Sequence, residues 1–413
     1  MKHRILYYSD CSFFAGCENM IANFLNDKAI RKDFSVSLAY NFSIKYEHGL
    51  NERTQQAHYK KFSTGILKQL SYHKPISTSP IYLIIHKTIF GLYLLLYKYF
   101  SLFVNTFILF RFFRRQEINI LHINNGGYPG AYSCTSAVFA GKLAGINKII
   151  YVVNNIAQDF KRPDRWLDYT LDFFVKRFVT VFITGSEYAG VRLRKILNLD
   201  KNKSLVINNG IERREVTLTK DEFRIKYSIP KNKLLASVVA NLEKRKGHIF
   251  LFEAILQIKK QCSKSDLPFF VIEGVGSEKE TLKNFILEND LAQDILMLDY
   301  MPNVFNLLNA SDFVILPSIE NEDFPNIIIE AMSLGKVVIG TKIAGIPEQI
   351  VDFKTGLIIK PNDSEELKEA ILKLATDPGL IQQLSIESLS RFDTLYEKSI
   401  AVKKYQSLYK SIF

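Results

Sequence analysis

At 413 residues the chain is too long for one ordinary core and predicts two domains, or three. Hydrophobic residues at 47% and charged residues at 23% lie near globular averages, which excludes a mainly disordered chain. The net charge of +12 attracts something anionic: nucleotide phosphates, nucleic acid or an anionic membrane surface. Basic residues are dispersed and no nucleic-acid module is recognisable, so nucleic acid is not expected as a partner.

The N-terminus "MKHRILYYSD" is basic and then apolar, but Asp10 ends the run at the length of a strand, so nothing there directs export. Cys11, Cys17, Cys134 and Cys262 have neither zinc-site spacing nor the density of a disulfide framework. Reduced thiols and a cytoplasmic location are the expectation.

Further strands are expected at "FSVSLAY", "INILHINN", "KIIYVVNN" and "VTVFITGS". Between the second and third of all these runs, residues 76–115 break the pattern with a long aromatic, apolar stretch that ends in a basic cluster. From Thr88 to Phe110 only Lys98 is charged. Three readings stay open: a helix pair packed on the first domain, a monotopic region dipping into an anionic leaflet, or a membrane span with Lys98 penalised near its middle. The linker is expected near "VINNGIERREVTLTK", where Asn209 and Gly210 supply a turn.

Beyond the linker, "LLASVVA", "PFFVIEG", "DILMLDY", "DFVILPS" and "VVIGT" alternate with helical patterns. Short continuous apolar strands separated by helices predict parallel sheets covered on both faces, hence an α/β chain of two doubly wound, Rossmann-like domains. Their expected extents are 1–209 and 210–391, with 392–413 as a C-terminal helix free to pack on either domain.

In "ENEDFPNIIIEAMSLG" (320–335), Pro325 suits the first turn of a helix and Gly335 its end. That helix opens at the carboxyl edge of a sheet, where its unpaired amides favour phosphate. Glu322 then lies in the loop and Glu330 inside the helix, each placed to accept hydrogen bonds from hydroxyls of one polyhydroxylated ligand. The bland alternative makes Glu322 an exposed loop charge and Glu330 a helix surface residue.

The stretch "SIENEDFPNIIIEAMSLGKVVIGTKIAGIPEQI", with Glu322 and Glu330 in an E-x7-E arrangement, resembles the signature of family 4 of the retaining glycosyltransferases, which have the GT-B fold of two domains facing a cleft. "ANLEKRKGH" resembles the family's phosphate loop, "VIEGVGSEKETL" its second glycine loop, "INNGIE" its inter-domain element and "FFAGCEN" its N-terminal glycine loop. The resemblance implies transfer of a hexose-type sugar from a nucleotide sugar, a UDP-sugar first, with retention by same-face attack. Glu330 would hold the ribose, Glu322 the hexose hydroxyls, and Phe324, Pro325 and Asn326 would face the diphosphate and sugar. Lys246 would neutralise the leaving diphosphate. Gly16, Gly274 and Gly276 would approach the donor. No cofactor or metal is implied, since the nucleotide sugar is a substrate. Asn241 replaces a usual arginine, for which Lys244, Arg245 or the helix N-terminus would compensate; a charged loop residue such as Arg245 is more often just solvated.

On the acceptor side, "LHINNGGYPG" and "VVNNIAQD" place His122, Asn124, Asn125, Asn154 and Asn155 at strand ends. His122 is the candidate to polarise an acceptor hydroxyl, or else a strand-end residue bonded to backbone. Ser186 resembles the family's serine at a helix start and suits an N-cap equally. The implied acceptor is a saccharide, lipid-linked, in bacterial surface polysaccharide synthesis, with the enzyme peripheral at the inner membrane face. The competing readings are a nucleotide-sugar epimerase, a phosphorylase, or a non-catalytic basic protein binding membrane or nucleic acid.

Overall fold

The computed structural model describes residues 2–14, 16–54, 57–70, 80–161, 163–261 and 267–413. Cys262, and residues 76–79 of the apolar segment, lie outside them. The chain forms two compact units, Met1–Ile207 with Val402–Phe413, and Asn208–Ala401.

The first unit is built on β1 (His3–Ser9), β2 (Phe34–Tyr40), β3 (Lys60–Ser63), β4 (Ile120–Asn125), β5 (Lys148–Val153), β6 (Val181–Thr184) and β7 (Ser204–Val206), in the order β3-β2-β1-β4-β5-β6-β7. Every pair is parallel, with Ile5 opposite both Val36 and Ile120. Helices cover both faces, so β4 is buried along its whole length and β5 is an apolar run buried from Ile149 to Val153. The order reverses between β1 and β4, which opens a crevice at their carboxyl ends.

The apolar segment forms one helix, Pro80–Arg114, and not the helix pair that was one of its three readings. Within it no proline follows Pro80, and the apolar run goes on without a break. Lys98 faces inward. It pairs with buried Asp168 at 2.6 Å, Tyr99 donates to the same carboxylate at 3.1 Å, and Arg165 bridges Asp168 and Asp172 at 2.9 Å each. Tyr128 donates to Asp172 at 2.7 Å. This buried cluster, in which each charge meets an opposite one and the Arg165 Nε alone lacks a partner, ties the helix to the short helices Pro163–Trp166 and Tyr169–Phe178.

The second unit holds β8 (Leu235–Val239), β9 (Phe269–Glu273), β10 (Ile295–Leu298), β11 (Phe313–Leu316), β12 (Val337–Thr341) and β13 (Gly356–Ile359), all parallel in the order β10-β9-β8-β11-β12-β13. Its reversal lies between β8 and β11. The C-terminal stretch, read as one helix, is two: Pro378–Leu395 and Lys398–Ser411, parted where Ile211 pairs with the backbone of Tyr396 and Lys398. Gly210 fits there because a Cβ would stand 2.9 Å from that of Ala401. From Val402 onward the chain belongs to the first unit, where Tyr405 and Tyr409 pack on Phe24.

Removing one member of a buried ion cluster leaves its partners charged and unpaired, at about 3–5 kcal/mol. Asp168→Ala should therefore lower the unfolding free energy of the first unit by that amount in denaturant titration, and an unshifted midpoint would contradict the cluster's role.

Candidate functional site

In the second unit the loops after β8 and β11 meet at the switch point. The β8 loop runs into a 3-10 turn, Lys244–Lys246, that carries the Lys246 side chain inward. Its Nζ lies 2.5 Å from Glu322 Oε2, to which Ser318 also donates at 3.0 Å. Both partners are buried, so Glu322 is no exposed loop charge. Arg245 reaches to 3.7 Å from the same carboxylate while its Nε is held by Glu243 at 2.7 Å. Asn241 is exposed and donates to Glu243 at 3.5 Å, so Arg245 and Lys246, not Asn241, supply the positive charge here.

The helix Asn326–Ser333 starts beside this pair. Pro325 is its N-cap residue and its carbonyl accepts from Gln349 at 3.1 Å, while Phe324 is anchored against Tyr396 with ring centroids 5.7 Å apart. Asn326 accepts from Asn209 at 3.1 Å. Gly335, at φ +66°, ends the helix beyond Leu334. Glu330 is buried within it, 3.9 Å from Arg214. The arrangement gathers the carboxylates of Glu322 and Glu330, the cations Lys246, Arg245 and Arg214, and a helix start, a set suited to a ligand with both hydroxyls and phosphate.

Gly274 and Gly276 line the neighbouring loop, but their lack of a side chain is explained within the protein. A Cβ at Gly274 (φ +154°) would stand 2.0 Å from the Ala240 carbonyl oxygen, and one at Gly276 2.2 Å from that of Leu242. The two loops are zipped by Leu242 N–H to Val275 O and Glu278 N–H to Leu242 O, both 2.9 Å.

Sequence reasoning missed Glu273, Arg214 and His248. Glu273 ends β9, is buried and accepts from the Met301 amide at 2.6 Å; burial first, and then the charge of Glu330, push its carboxyl upward against that bond. An acidic residue closing the apolar run "FFVIE" was the available signal. His248 is buried, with no protein partner for its ring nitrogens, and burial together with Lys246 lowers its pKa to about 4.

In the first unit a cavity of about 220 Å³ opens at the carboxyl ends of β1 and β4, lined by Asp10, Cys11, Asn124, Asn125, Gly127 and Cys134 among others. Asn124 and Asn125 are at its wall but their amides are committed inward. Asn124 donates to Glu18 at 2.8 Å and accepts from Asn154 at 2.7 Å; Asn125 donates to the Pro129 carbonyl at 2.7 Å and accepts from Ala131 N–H at 3.1 Å. Asn155 accepts from the Ile156 amide at 2.7 Å. Gly16 is exposed at the start of the 3-10 turn that carries Glu18, itself wholly buried and bonded to Ser9, Tyr46 and Asn124. Ser186 is an N-cap, accepting from Ala189 N–H at 3.0 Å. Asp10, missed in the sequence, is the carboxylate of this cavity.

His122 corrects an expectation. It sits within β4 with 1% exposure, ringed by Tyr7, Phe24, Tyr405 and Tyr409, with Nδ1 2.9 Å from the Tyr409 hydroxyl. It shares a strand face with Asn124 but lies two residues further from the carboxyl end of β4, covered by Tyr405 and Tyr409, and burial lowers its pKa to about 3. It meets no solvent and its Nδ1 is taken up by Tyr409, so the ring offers an acceptor hydroxyl no access.

Residues 219–390 match the model of the glycosyl transferases group 1. The chain is 26% identical over 280 residues, 66% of its length and 70% of the relative's, to the Escherichia coli UDP-Gal:alpha-D-GlcNAc-diphosphoundecaprenol alpha-1,3-galactosyltransferase. Other curated relatives are matched over about half of their length. Among solved structures, a glycosyltransferase of Rickettsia africae aligns over 100% of this chain and 98% of its own, with TM-score 0.75 and 18% identity. The Anabaena protein HepE in complex with UDP-glucose aligns over 99% of both chains, with TM-score 0.74 and 16% identity. The fold is the one these enzymes share.

Folded His122 stays neutral down to about pH 3, whereas an unfolded imidazole gains a proton near 6.5. Its contribution is thus complete above 6.5 and lost as pH falls toward 3, by about 1.4 kcal/mol per unit. Unfolding measured from pH 7.5 to 4.5 should show the wild-type advantage over His122→Phe shrinking at that rate; parallel curves would contradict the buried neutral imidazole.

Proposed function

We propose, from the match of residues 219–390 to the model of the group 1 glycosyl transferases, that the chain is a retaining glycosyltransferase that moves a hexose-type sugar from a UDP-sugar to a lipid-linked saccharide in surface-polysaccharide synthesis. The observation that carries this reading is the buried Lys246–Glu322 pair at the switch point of the second sheet, beside the start of the helix that holds Glu330. UDP as the nucleotide is supported by the donor named for the Escherichia coli relative and by the UDP-glucose bound to HepE. That relative's acceptor, a sugar on diphosphoundecaprenol, supports the lipid-linked class.

In this reaction the donor diphosphate lies on the amides that open the Asn326–Ser333 helix and on Lys246. An ammonium has three donors; one serves Glu322, which leaves two for phosphate oxygens. Developing charge on the departing phosphate is stabilised by fixed groups that need no reorganisation. Glu322 keeps a lone pair for a hexose hydroxyl, and Glu330, aided by Arg214, takes the ribose. The acceptor hydroxyl attacks from the face the diphosphate leaves, and its proton passes to the leaving phosphate oxygen. No protein nucleophile, metal or cofactor enters the step, and His122, sealed in its core, has no part in it.

Incubation with UDP-sugars and a polyprenyl-diphosphate saccharide should release UDP, and Glu330→Ala should raise the KM for donor about tenfold or more, the loss of a charged hydrogen bond of about 1.5–3 kcal/mol. Full activity in that variant removes the ribose role. Isomerised donor with free UDP and no need of acceptor would favour an epimerase instead.

A further inference from the structure

The helix Pro80–Arg114 is turned inside out relative to an ordinary surface helix. Its buried positions include Lys98, Ser101 and Asn105, with Leu109 and Phe113 below them. Each polar one is satisfied within the first unit: Lys98 by Asp168, Ser101 by the Lys98 carbonyl, Asn105 by both the amide and the carbonyl of Leu67. The solvent side carries Ile89, Leu92, Leu96 (63% exposed), Phe100, Phe103 (74%) and Phe107, spaced at three and four residues. That is the reverse of what water selects.

The neighbouring short helices repeat the inversion. Arg165, Asp168 and Asp172 point into the ion cluster, while Trp166 (62% exposed), Leu167, Tyr169 (69%) and Phe173 point out. Because Lys98 and Tyr99 bond Asp168, the same cluster that ties the helices together turns both apolar faces outward on one side of the unit. An apolar surface of this extent marks an interaction site.

We propose that this surface lies in the headgroup boundary of an anionic bilayer, with the long helix parallel to the membrane plane. Charge decides for lipid over a second copy of the chain or another apolar protein. The long helix contains no acidic residue, its end carries Arg111, Arg114 and Arg115 in the open, and Arg111 and Lys176 stand over the Phe107 and Phe173 rings at 5.7 and 5.8 Å. Exposed aromatic rings flanked by guanidinium and ammonium groups suit a boundary that is apolar below and phosphate-rich above. A transmembrane course is excluded by the inner face: crossing would tear Lys98, Ser101 and Asn105 from their partners. This inference goes beyond the transfer reaction and does not rest on it.

Trp166 is the single tryptophan of the chain, so its fluorescence reports on this surface alone. With the full-length protein, vesicles of phosphatidylglycerol and phosphatidylethanolamine should shift Trp166 emission to the blue and carry the protein up a flotation gradient, and pure phosphatidylcholine should do so at least tenfold less. Leu96→Glu/Phe103→Glu/Phe107→Glu, all exposed and on the other helix, should lose both signals while keeping the wild-type melting temperature. Ile225→Glu/Leu287→Glu, exposed on the second unit, should keep both. The proposal is overturned if the wild type neither floats nor shifts on anionic vesicles, if the triple variant behaves as wild type, if added salt releases all protein, or if the triple variant's sole effect is to convert a dimer to a monomer.

Discussion

A carboxylate taken out of water must be paired, and the second unit meets that constraint for Glu322 by bringing Lys246 from a loop 76 residues earlier. This contact fixes the ends of β8 and β11 as one edge, and the other parts of the site are placed around it. The 3-10 turn brings Lys246 inward, Ser318 adds a second hydrogen bond to the same carboxylate oxygen, and Phe324 and Pro325 set the entry of the helix. The glycines of the adjoining loop let its backbone lie directly on that of residues 240–242. The site is therefore a consequence of how two loops close on one ion pair, with the helix dipole added to it.

The first unit solves the same problem differently. Four charged side chains, Lys98, Arg165, Asp168 and Asp172, neutralise one another in its interior, and the apolar residues that would ordinarily fill such a place face outward. Polar groups held inside can specify one arrangement of helices where apolar contacts allow several. In this chain the arrangement they specify leaves an oily face beside a basic helix end.

The central strands were legible because parallel strands buried on both faces are continuous apolar runs, as in "KIIYVV" and "FVIL". The edge strands β3, "KKFS", and β7, "SLV", were not: one is exposed and charged, the other three residues long. In the site, Glu322 and Glu330 were legible from local spacing around a turn and a helix start, and Lys246 only through the resemblance of its loop to a known family. What escaped depended on distant pairing. His122 looks like a strand-end base until Tyr409, 287 residues later, covers it, and Lys98 looks like a charge stranded in an apolar helix until Asp168 is seen beside it. Glu273 was overlooked because a strand-terminal carboxylate carries no period of its own.

The account stands or falls on where the nucleotide sits. A crystal structure of the protein soaked with UDP tests it most directly. Diphosphate oxygens within hydrogen-bonding distance of Lys246 Nζ and of the amides opening the Asn326–Ser333 helix, with ribose hydroxyls on Glu330, are the predicted result. UDP bound with its diphosphate remote from Lys246, or with its ribose away from Glu330, would contradict it.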